Sequence, residues 1–331
     1  MQVAGAGGSP RVAIMTDETG WHTARLKQAL AARGCEGRCV DLADCRIDTT
    51  WAWHGLVIPG YGRSLPDAVI VRGIAGGSFE QVTLRLGILH ALRELGIPVY
   101  NDARAIERSV DKGMTSWLLH RAGIATPPTW VTESVPHAQR AVMREGAAGR
   151  ALVLKPLFGS QGKGLQRVGA VDDTFRALPR LAPYRHVAYL QRFVPPPATP
   201  DPAAAHGFDW RVLVVGGHAV AAMRRFGSGW VHNIAQGARC EAAQVPLAVA
   251  ALAVRAAAAL GLDYAGVDLV PCTAAPEQAM VLEVNGVAAW RGLQSVTQCD
   301  IAGLLIDDLL GRKLSTQPQL AAGHAVPGGA A

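Results

Sequence analysis

Ala265-Gly266-Val267-Asp268-Leu269-Val270 and, shortly after it, Leu282-Glu283-Val284-Asn285-Gly286 decide how the rest of this 331-residue chain is read. Each is a short apolar run that carries an acid where an ordinary buried strand would place another Val or Leu. Extended chains turn successive side chains to opposite faces, so Glu283 and Asn285 share one face while Leu282 and Val284 pack the other. If the run ending at Val270 pairs antiparallel with a run beginning at Ala279, Asp268 joins the Glu283 face. Two carboxylates and an amide then converge. A hard cation such as Mg²⁺ suits that oxygen set, and Mg²⁺ commonly joins a few carboxylates to substrate phosphates. The competing reading places the same residues on an edge strand facing water. The choice turns on whether the chain also supplies groups for phosphate.

Composition narrows the classes. Half the residues are apolar and 18% are charged, enough to bury a core, and the length suits two or three lobes. No apolar run reaches the roughly 18 residues of a spanning helix, and the first ten residues lack the basic region and apolar core of a signal peptide. A cytoplasmic protein with no membrane association is expected. A net charge of +6 without a Lys/Arg block or basic helix favours anionic small molecules, and no nucleic-acid partner is expected. Cys35, Cys39, Cys45, Cys240, Cys272 and Cys299 fit neither paired zinc knuckles nor iron–sulfur spacing, and they read as reduced structural thiols.

Working outward, residues 11–105 alternate strand and helix patterns: strands at 11–15, 37–42, 55–58, 68–71 and 98–100, and helices at 21–33 and around Val82, Leu86, Leu89 and Leu92. This predicts an open α/β domain, without the G-x-G-x-x-G of a dinucleotide binder. A helix is expected from an N-cap at Ser109 to Ala122. The segment 106–186 reads as a middle lobe with strand 151–156, a loop Gly159-Ser160-Gln161-Gly162-Lys163-Gly164 and strand 165–168. Strand, glycine loop, strand is a hairpin and not a Walker loop; it is either an ordinary turn or a lid whose amides approach phosphate. The remainder, 187–314, holds strands at 187–194, 212–215 and 219–223, a polar loop at 230–237, a helix at 246–260, the acidic strand pair and a last helix at 300–310. Residues 1–10 and 315–331 are Gly/Ala/Pro-rich and are expected to be disordered.

Several modest signals gain weight from their order. Lys112 on a helix, Lys155 ending a strand, the glycine hairpin, Gln191-Arg192-Phe193-Val194, Asp209-Trp210-Arg211, Asp268 and Glu283-x-Asn285 follow one another along the chain. This order resembles the ATP-grasp superfamily, and closely its RimK-type amino-acid ligases, over roughly residues 68–310. The resemblance implies an α/β fold, α+β in the C-terminal lobes, in which an N-terminal open α/β pre-ATP-grasp domain precedes the ATP-grasp lobes. It implies that Lys112 and Lys155 contact ATP phosphates under a lid formed by Gly159, Ser160, Gln161 and Gly162. Gln191, Phe193 and Val194 would line the adenine pocket, and Asp268, Glu283 and Asn285 would hold two Mg²⁺ ions, for which Mn²⁺ is an alternative. Arg211, Arg225 and Asn233 would face the transferred phosphate and the carboxylate substrate, with Asp209 beside them. Arg192 departs from the pattern, since many relatives carry an acid there.

Such a ligase activates a carboxylate as an acyl phosphate, which an amine attacks to leave ADP, phosphate and an amide. Phosphoryl transfer asks for positioning and charge neutralisation more than covalent help. After the metal strand, Gly286-Val287-Ala288-Ala289-Trp290-Arg291-Gly292-Leu293-Gln294 is similar to a pattern of RimK-like ligases associated with tetrahydromethanopterin and methanofuran-type coenzymes, with Ala288-Ala289 replacing Pro-Gly. That branch adds L-glutamate to a coenzyme or its precursor. In one reading Trp290 stacks on a substrate ring and Arg291 binds a carboxylate; in the other Trp290 pins the loop. Two other functions fit: a ligase acting on a protein tail or carrier protein, and a non-catalytic ATP-binding protein. By analogy with relatives, a homo-oligomer is expected.

Overall fold

The N-terminal strands at 11–15, 68–71 and 99–100 are almost wholly apolar because their sheet is covered on both faces, as parallel sheets require, while the edge strand at 36–40 exposes Glu36 and Arg38. In the computed structural model, which describes residues 8–159, 162–196, 207–272 and 278–315, the chain opens with β1 (Arg11–Met15), α1 (Trp21–Ala31) and β2 (Glu36–Val40). A small antiparallel pair follows, β3 (Arg46–Ile47) and β4 (Leu56–Val57), and then β5 (Ala68–Val71), α2 (Phe79–Glu94) and β6 (Val99–Tyr100). The four parallel strands run in the order β2-β1-β5-β6. Chain direction therefore reverses between β1 and β5, the place where open α/β sheets form a crevice.

Two helices lead out of this domain, α3 (Ala103–Val110) and α4 (Lys112–Arg121), where a single helix capped by Ser109 was expected. Asp111 is the reason for the break. Its carboxylate accepts from the amides of Gly113 at 2.8 Å and Met114 at 3.0 Å, so it is the N-cap, while Ser109 donates to the Ile106 carbonyl inside α3. The cap sets Lys112 at the first helical position.

The middle lobe contains β7 (Thr129–Thr132), α5 (Val135–Ala147), β8 (Ala151–Lys155), β9 (Gln166–Val171), β10 (Thr174–Arg176) and β11 (Ala188–Arg192). Their sheet order is β10-β9-β8-β11-β7. The expected boundary at 186/187 is thereby corrected, because β11 bonds to both β8 and β7 and belongs to this lobe. The sequence reading also passed over β7, α5 and β10. Ser134 as N-cap and Pro136 in the first turn do mark the start of α5.

The last lobe is built on β12 (Asp209–Val215), β13 (His218–Phe226), β14 (Arg239–Ala242), α6 (Leu247–Leu260), β15 (Tyr264–Pro271) and β16 (Ala279–Asn285). The strands run β14-β13-β12-β15-β16, all antiparallel. One face packs on α6 through Trp210, Val212, Val214, Val267, Val281 and Val284. Two short helices close the chain, α7 (Arg291–Gln294) and α8 (Ile301–Asp308), the latter packed on α1. Residues 1–7, Ser160, Gln161 and 316–331, for which disorder or lid roles were expected, lie outside the described residues.

The first and last lobes share one core, in which Val12, Ile14, Leu30 and Ile70 meet Leu213, Tyr264, Trp290 and Leu305. Asn101, fully buried, fastens them. Its amide nitrogen donates to the carbonyls of Tyr264 (2.7 Å) and Gly286 (2.6 Å), and its oxygen accepts from the amides of Asp263 (2.6 Å) and Tyr264 (3.0 Å). The middle lobe instead keeps a core of its own, including Ala138, Val142, Leu152, Leu154, Val168 and Leu190. Replacing Asn101 with Leu strands four buried backbone partners, each worth roughly 1 kcal/mol or more when left unpaired. Asn101→Leu is therefore expected to lose about 3 kcal/mol or more, read as a lower denaturant midpoint with an unchanged slope; an unaltered midpoint would remove Asn101 from this role.

Candidate active site

The expected hairpin forms, and its register decides the site. β15 and β16 pair so that Asp268 stands directly opposite Glu283, and Gly266 opposite Asn285. The register slips by one between Asp268 and Leu269, which leaves Leu282 as the extra residue of a bulge. The expected alternation changes there. Val281 and Val284 fill the core, whereas Leu282 turns with Glu283 into the cleft instead of packing beside Val284.

Cross-strand neighbours extend this pair into a row of charge. Arg225 on β13 faces Asp209 on β12, and Arg211 on β12 faces Asp268 on β15. Arg225 grips Asp209 with two bonds of 2.7 and 2.6 Å and also lies 3.0 Å from Asp268; Arg211 makes its own two contacts to Asp268, at 2.5 and 2.9 Å. Asp209, Asp268 and Arg225 are all buried. Burial pushes Asp209 up to about 7 against the pull of Arg225. Burial also works against the charge on Arg225, but Asp268 and Asp209 outweigh it and raise its pKa. Asp209 is thus corrected from a substrate-binding residue to the partner that holds Arg225. Arg224, the preceding residue of β13, stands near Glu241 at 3.5 Å, over the rings of Phe208 and Phe226.

Gly266 makes the row compact. A Cβ there would fall 2.7 Å from an Arg211 nitrogen and 2.9 Å from the Ala288 methyl carbon, so only glycine lets Arg211 cross the strand.

Two lysines approach from the other side. Lys112 donates to the Gly159 carbonyl at 2.6 Å and sits 3.5 Å from Glu283. Lys155 donates to the Gln191 amide oxygen at 2.6 Å, and burial lowers its pKa to about 8. They meet a cleft of about 970 Å³, including its open mouth, whose walls include Lys155, Gln191, Phe193, Val194, Asp209, Arg225, Asn233, Asp268 and Glu283. With Gly162, eight residues the sequence reading assigned to nucleotide or substrate thus line one cavity with two of the assigned metal ligands. Arg211 stands behind Asp268, and Asn285 follows two residues after Glu283. The Asn233 side chain accepts from the Ala235 amide at 2.9 Å at the cleft wall.

Arg192 now has a physical account. Its side chain reaches the buried Glu145 of α5 at 2.8 Å, which Arg150 also grips at 2.8 Å. Burial opposes the charge of Glu145, but the two arginines hold its carboxyl below the usual range. The aromatic wall adds groups not assigned from sequence. Phe193 meets Trp230 edge-on at 6.0 Å, and the Arg167 guanidinium lies 4.7 Å over the Phe193 ring. Opposite, the lid touches the 230–237 loop: Gln236 donates to the Gly162 carbonyl at 3.0 Å, and Gly162 has φ +67°.

Trp290 is corrected. It is 1% exposed, wedged edge-on against Trp21 and His22, and its amide donates to His22 Nε2 at 3.2 Å. It pins the loop and is not open to a substrate ring. Arg291 lines a separate cleft.

The donor chemistry fits a hard cation. Asp268 and Glu283 present carboxylates across one ladder position, and Asn285 uses its amide nitrogen, not its oxygen, to bond the Gly266 carbonyl at 3.3 Å. Among the described residues no three His, Cys, Asp or Glu side chains gather, so a metal here rests on two carboxylates, one amide and oxygens brought by a ligand. All six cysteines are free thiols. Among the described residues no helix is long and apolar enough to cross a membrane.

Comparison with known proteins agrees with this geometry. Residues 11–106 match the RimK PreATP-grasp domain and residues 109–309 the RimK-like ATP-grasp domain. The chain is 32% identical over 257 residues to the tetrahydromethanopterin:alpha-L-glutamate ligase of Methanosarcina acetivorans, covering 69% of this chain and 74% of that protein. It is 31% identical over 294 residues to a probable alpha-L-glutamate ligase of Cellvibrio japonicus, covering 86% and 90%. Among solved structures, the ATP-grasp ligase PsnB in complex with a minimal precursor, Mg and ADP superposes with a TM-score of 0.67 at 24% identity, over 94% of this chain and 99% of that one. The row of paired charges, the two lysines and the glycine loop therefore belong to a chain of the RimK-like ATP-grasp family, an ADP-forming carboxylate–amine ligase.

Proposed function

We propose that this enzyme joins L-glutamate to a one-carbon coenzyme or its precursor, of the tetrahydromethanopterin or methanofuran type, through an acyl phosphate. The observation that carries the reading is the convergence of Lys112, Lys155, Arg225, Asp268 and Glu283 on one cleft, in a chain similar to named glutamate ligases. Lys155 and Lys112 bind the phosphates of ATP, and the 159–164 hairpin covers them. Gln191, Phe193, Val194 and Leu282 receive the adenine. Arg225, held by Asp209, and Arg211 face the oxygen charge that builds up as phosphate moves to the substrate carboxylate, where fixed cations in a water-poor site act most strongly. Asp268, Glu283 and Asn285 would hold two Mg²⁺ ions, which would supply positive charge for the phosphate oxygens. Trp290 lies in the core, so recognition of a pterin or furan ring falls to groups other than its indole.

Purified protein with Mg-ATP, L-glutamate and a panel of pterin, furan-amine and peptide acceptors is expected to release ADP and to add glutamyl mass to a pterin or furan. Mass gain only on a peptide would instead assign a protein or carrier-protein substrate. ATP binding with no ADP from any pair would leave a non-catalytic ATP-binding protein.

Lys155→Met and Glu283→Gln are each expected to lower kcat/KM for ATP by about 100-fold or more, as loss of one preorganised charge in such sites does, with little change in thermal midpoint. An activity within threefold of the parent would remove either residue from the phosphate site.

The pKa of about 8 on Lys155 sets a pH dependence. Below 8 the lysine is already charged and ATP affinity is flat. Above 8 it must gain a proton on meeting phosphate, so affinity falls by up to about tenfold per pH unit and binding takes up protons. Titration calorimetry at pH 9 in two buffers of different ionisation heat measures that uptake. Zero uptake would place Lys155 away from the phosphates.

A further inference from the structure

The crevice at the direction reversal of the first sheet is a cleft of about 650 Å³, including its open mouth, separate from the ATP cleft. Arg72, just past β5, and Arg291, at the start of α7, both line it, together with Asp17, Gly20 and His22. Both guanidiniums act on the His22 ring, which places them near one another. Neither has a carboxylate within ion-pair distance among the described residues, whereas Arg225, Arg211 and Arg192 around the ATP cleft are all paired. Arg72 spends one nitrogen on the Val287 carbonyl at 3.3 Å, and its Nε is buried without a partner. The start of α1 opens on the same cleft with no acid in its first turn and no side-chain cap, adding backbone amides and a positive helix end to the two cations. Asp17 and Glu18 stand at the exposed rim.

Two guanidiniums without a carboxylate partner on the cleft wall, Arg72 half-buried and Arg291 exposed, with acids at the rim, match a zwitterion with an extra carboxylate. The cleft is also tied to the metal strand. The loop that leaves Asn285 reaches Arg291 within six residues, a span of roughly 20 Å at full extension, and Arg72 bonds its Val287.

We propose that the Arg72–Arg291 cleft is the carboxylate subsite for the amino-acid substrate, and that it selects an acidic amino acid over its neutral amide. The proposal deepens the ligase reading and rests on it for the identity of the amino acid. Neutral His22 fits such a site, because it accepts from the Trp290 amide and adds no third charge.

The test measures binding of L-glutamate and of L-glutamine by calorimetry, to the full chain without turnover, alongside Mg-AMP-PNP. L-Glutamate is expected to bind at least tenfold more tightly than L-glutamine, and Arg291→Met and Arg72→Met are each expected to abolish that preference while leaving AMP-PNP affinity within twofold. Arg291 is exposed, so its variant tests the cleft even if Arg72→Met disturbs the Val287 loop. Equal affinity for the two amino acids in the parent, or an undiminished preference in Arg291→Met, would overturn the subsite. AMP-PNP binding reports on the ligase reading separately: its absence would count against that reading, while the amino-acid titrations would still decide the cleft.

Discussion

Burying a carboxylate beside a second one is costly, and this sheet does it at Asp268 with Asp209 close by. The arrangement holds only because Arg225 is shared between the two acids and Arg211 adds a further grip on Asp268. Each guanidinium reaches its acid from the neighbouring strand, so the antiparallel register of β12, β13 and β15 is also the register of the charge row. A shift of one residue on any of these strands would send charges into the apolar face against α6. Fold and site are therefore specified by the same pairing.

This explains which parts were legible in the sequence. Acids inside apolar runs at Asp268 and Glu283, and lysines at a helix start and a strand end, are one-dimensional signals that need only the period of two and a pairing partner. The bulge at Leu282 is not such a signal. It depends on how β16 meets β15, and strict alternation therefore put Leu282 on the wrong side. Asp209 was misread for a related reason. Its position marks it as polar in a strand, but only the partner strand shows that Arg225 already occupies it.

Trp290 and Arg192 show the same limit from the other direction. A tryptophan after a metal strand suggests an aromatic platform, yet its surroundings come from α1, more than 260 residues earlier in the chain: Trp21 and His22 enclose it and His22 holds its amide. An arginine where relatives place an acid suggests an altered nucleotide contact, yet its side chain faces α5 and pairs with Glu145. Long-range packing decided both, and neither partner is marked by spacing. Arg72 was likewise invisible, since a lone arginine after a strand acquires meaning only beside Arg291.

The separate core of the middle lobe has a kinetic side. The first and last lobes are fused through Asn101 and a common set of apolar side chains, so they move as one body. The middle lobe carries its own interior and meets the 230–237 loop over the cleft through the Gln236–Gly162 hydrogen bond and the Phe193–Trp230 ring contact. A lobe with its own interior can shift against its neighbours without opening that interior, and what the cleft holds would then resist the movement. On the proposed reading, charge that binds phosphate well would also slow the escape of ADP, so turnover would trade grip on the nucleotide against the rate of its release.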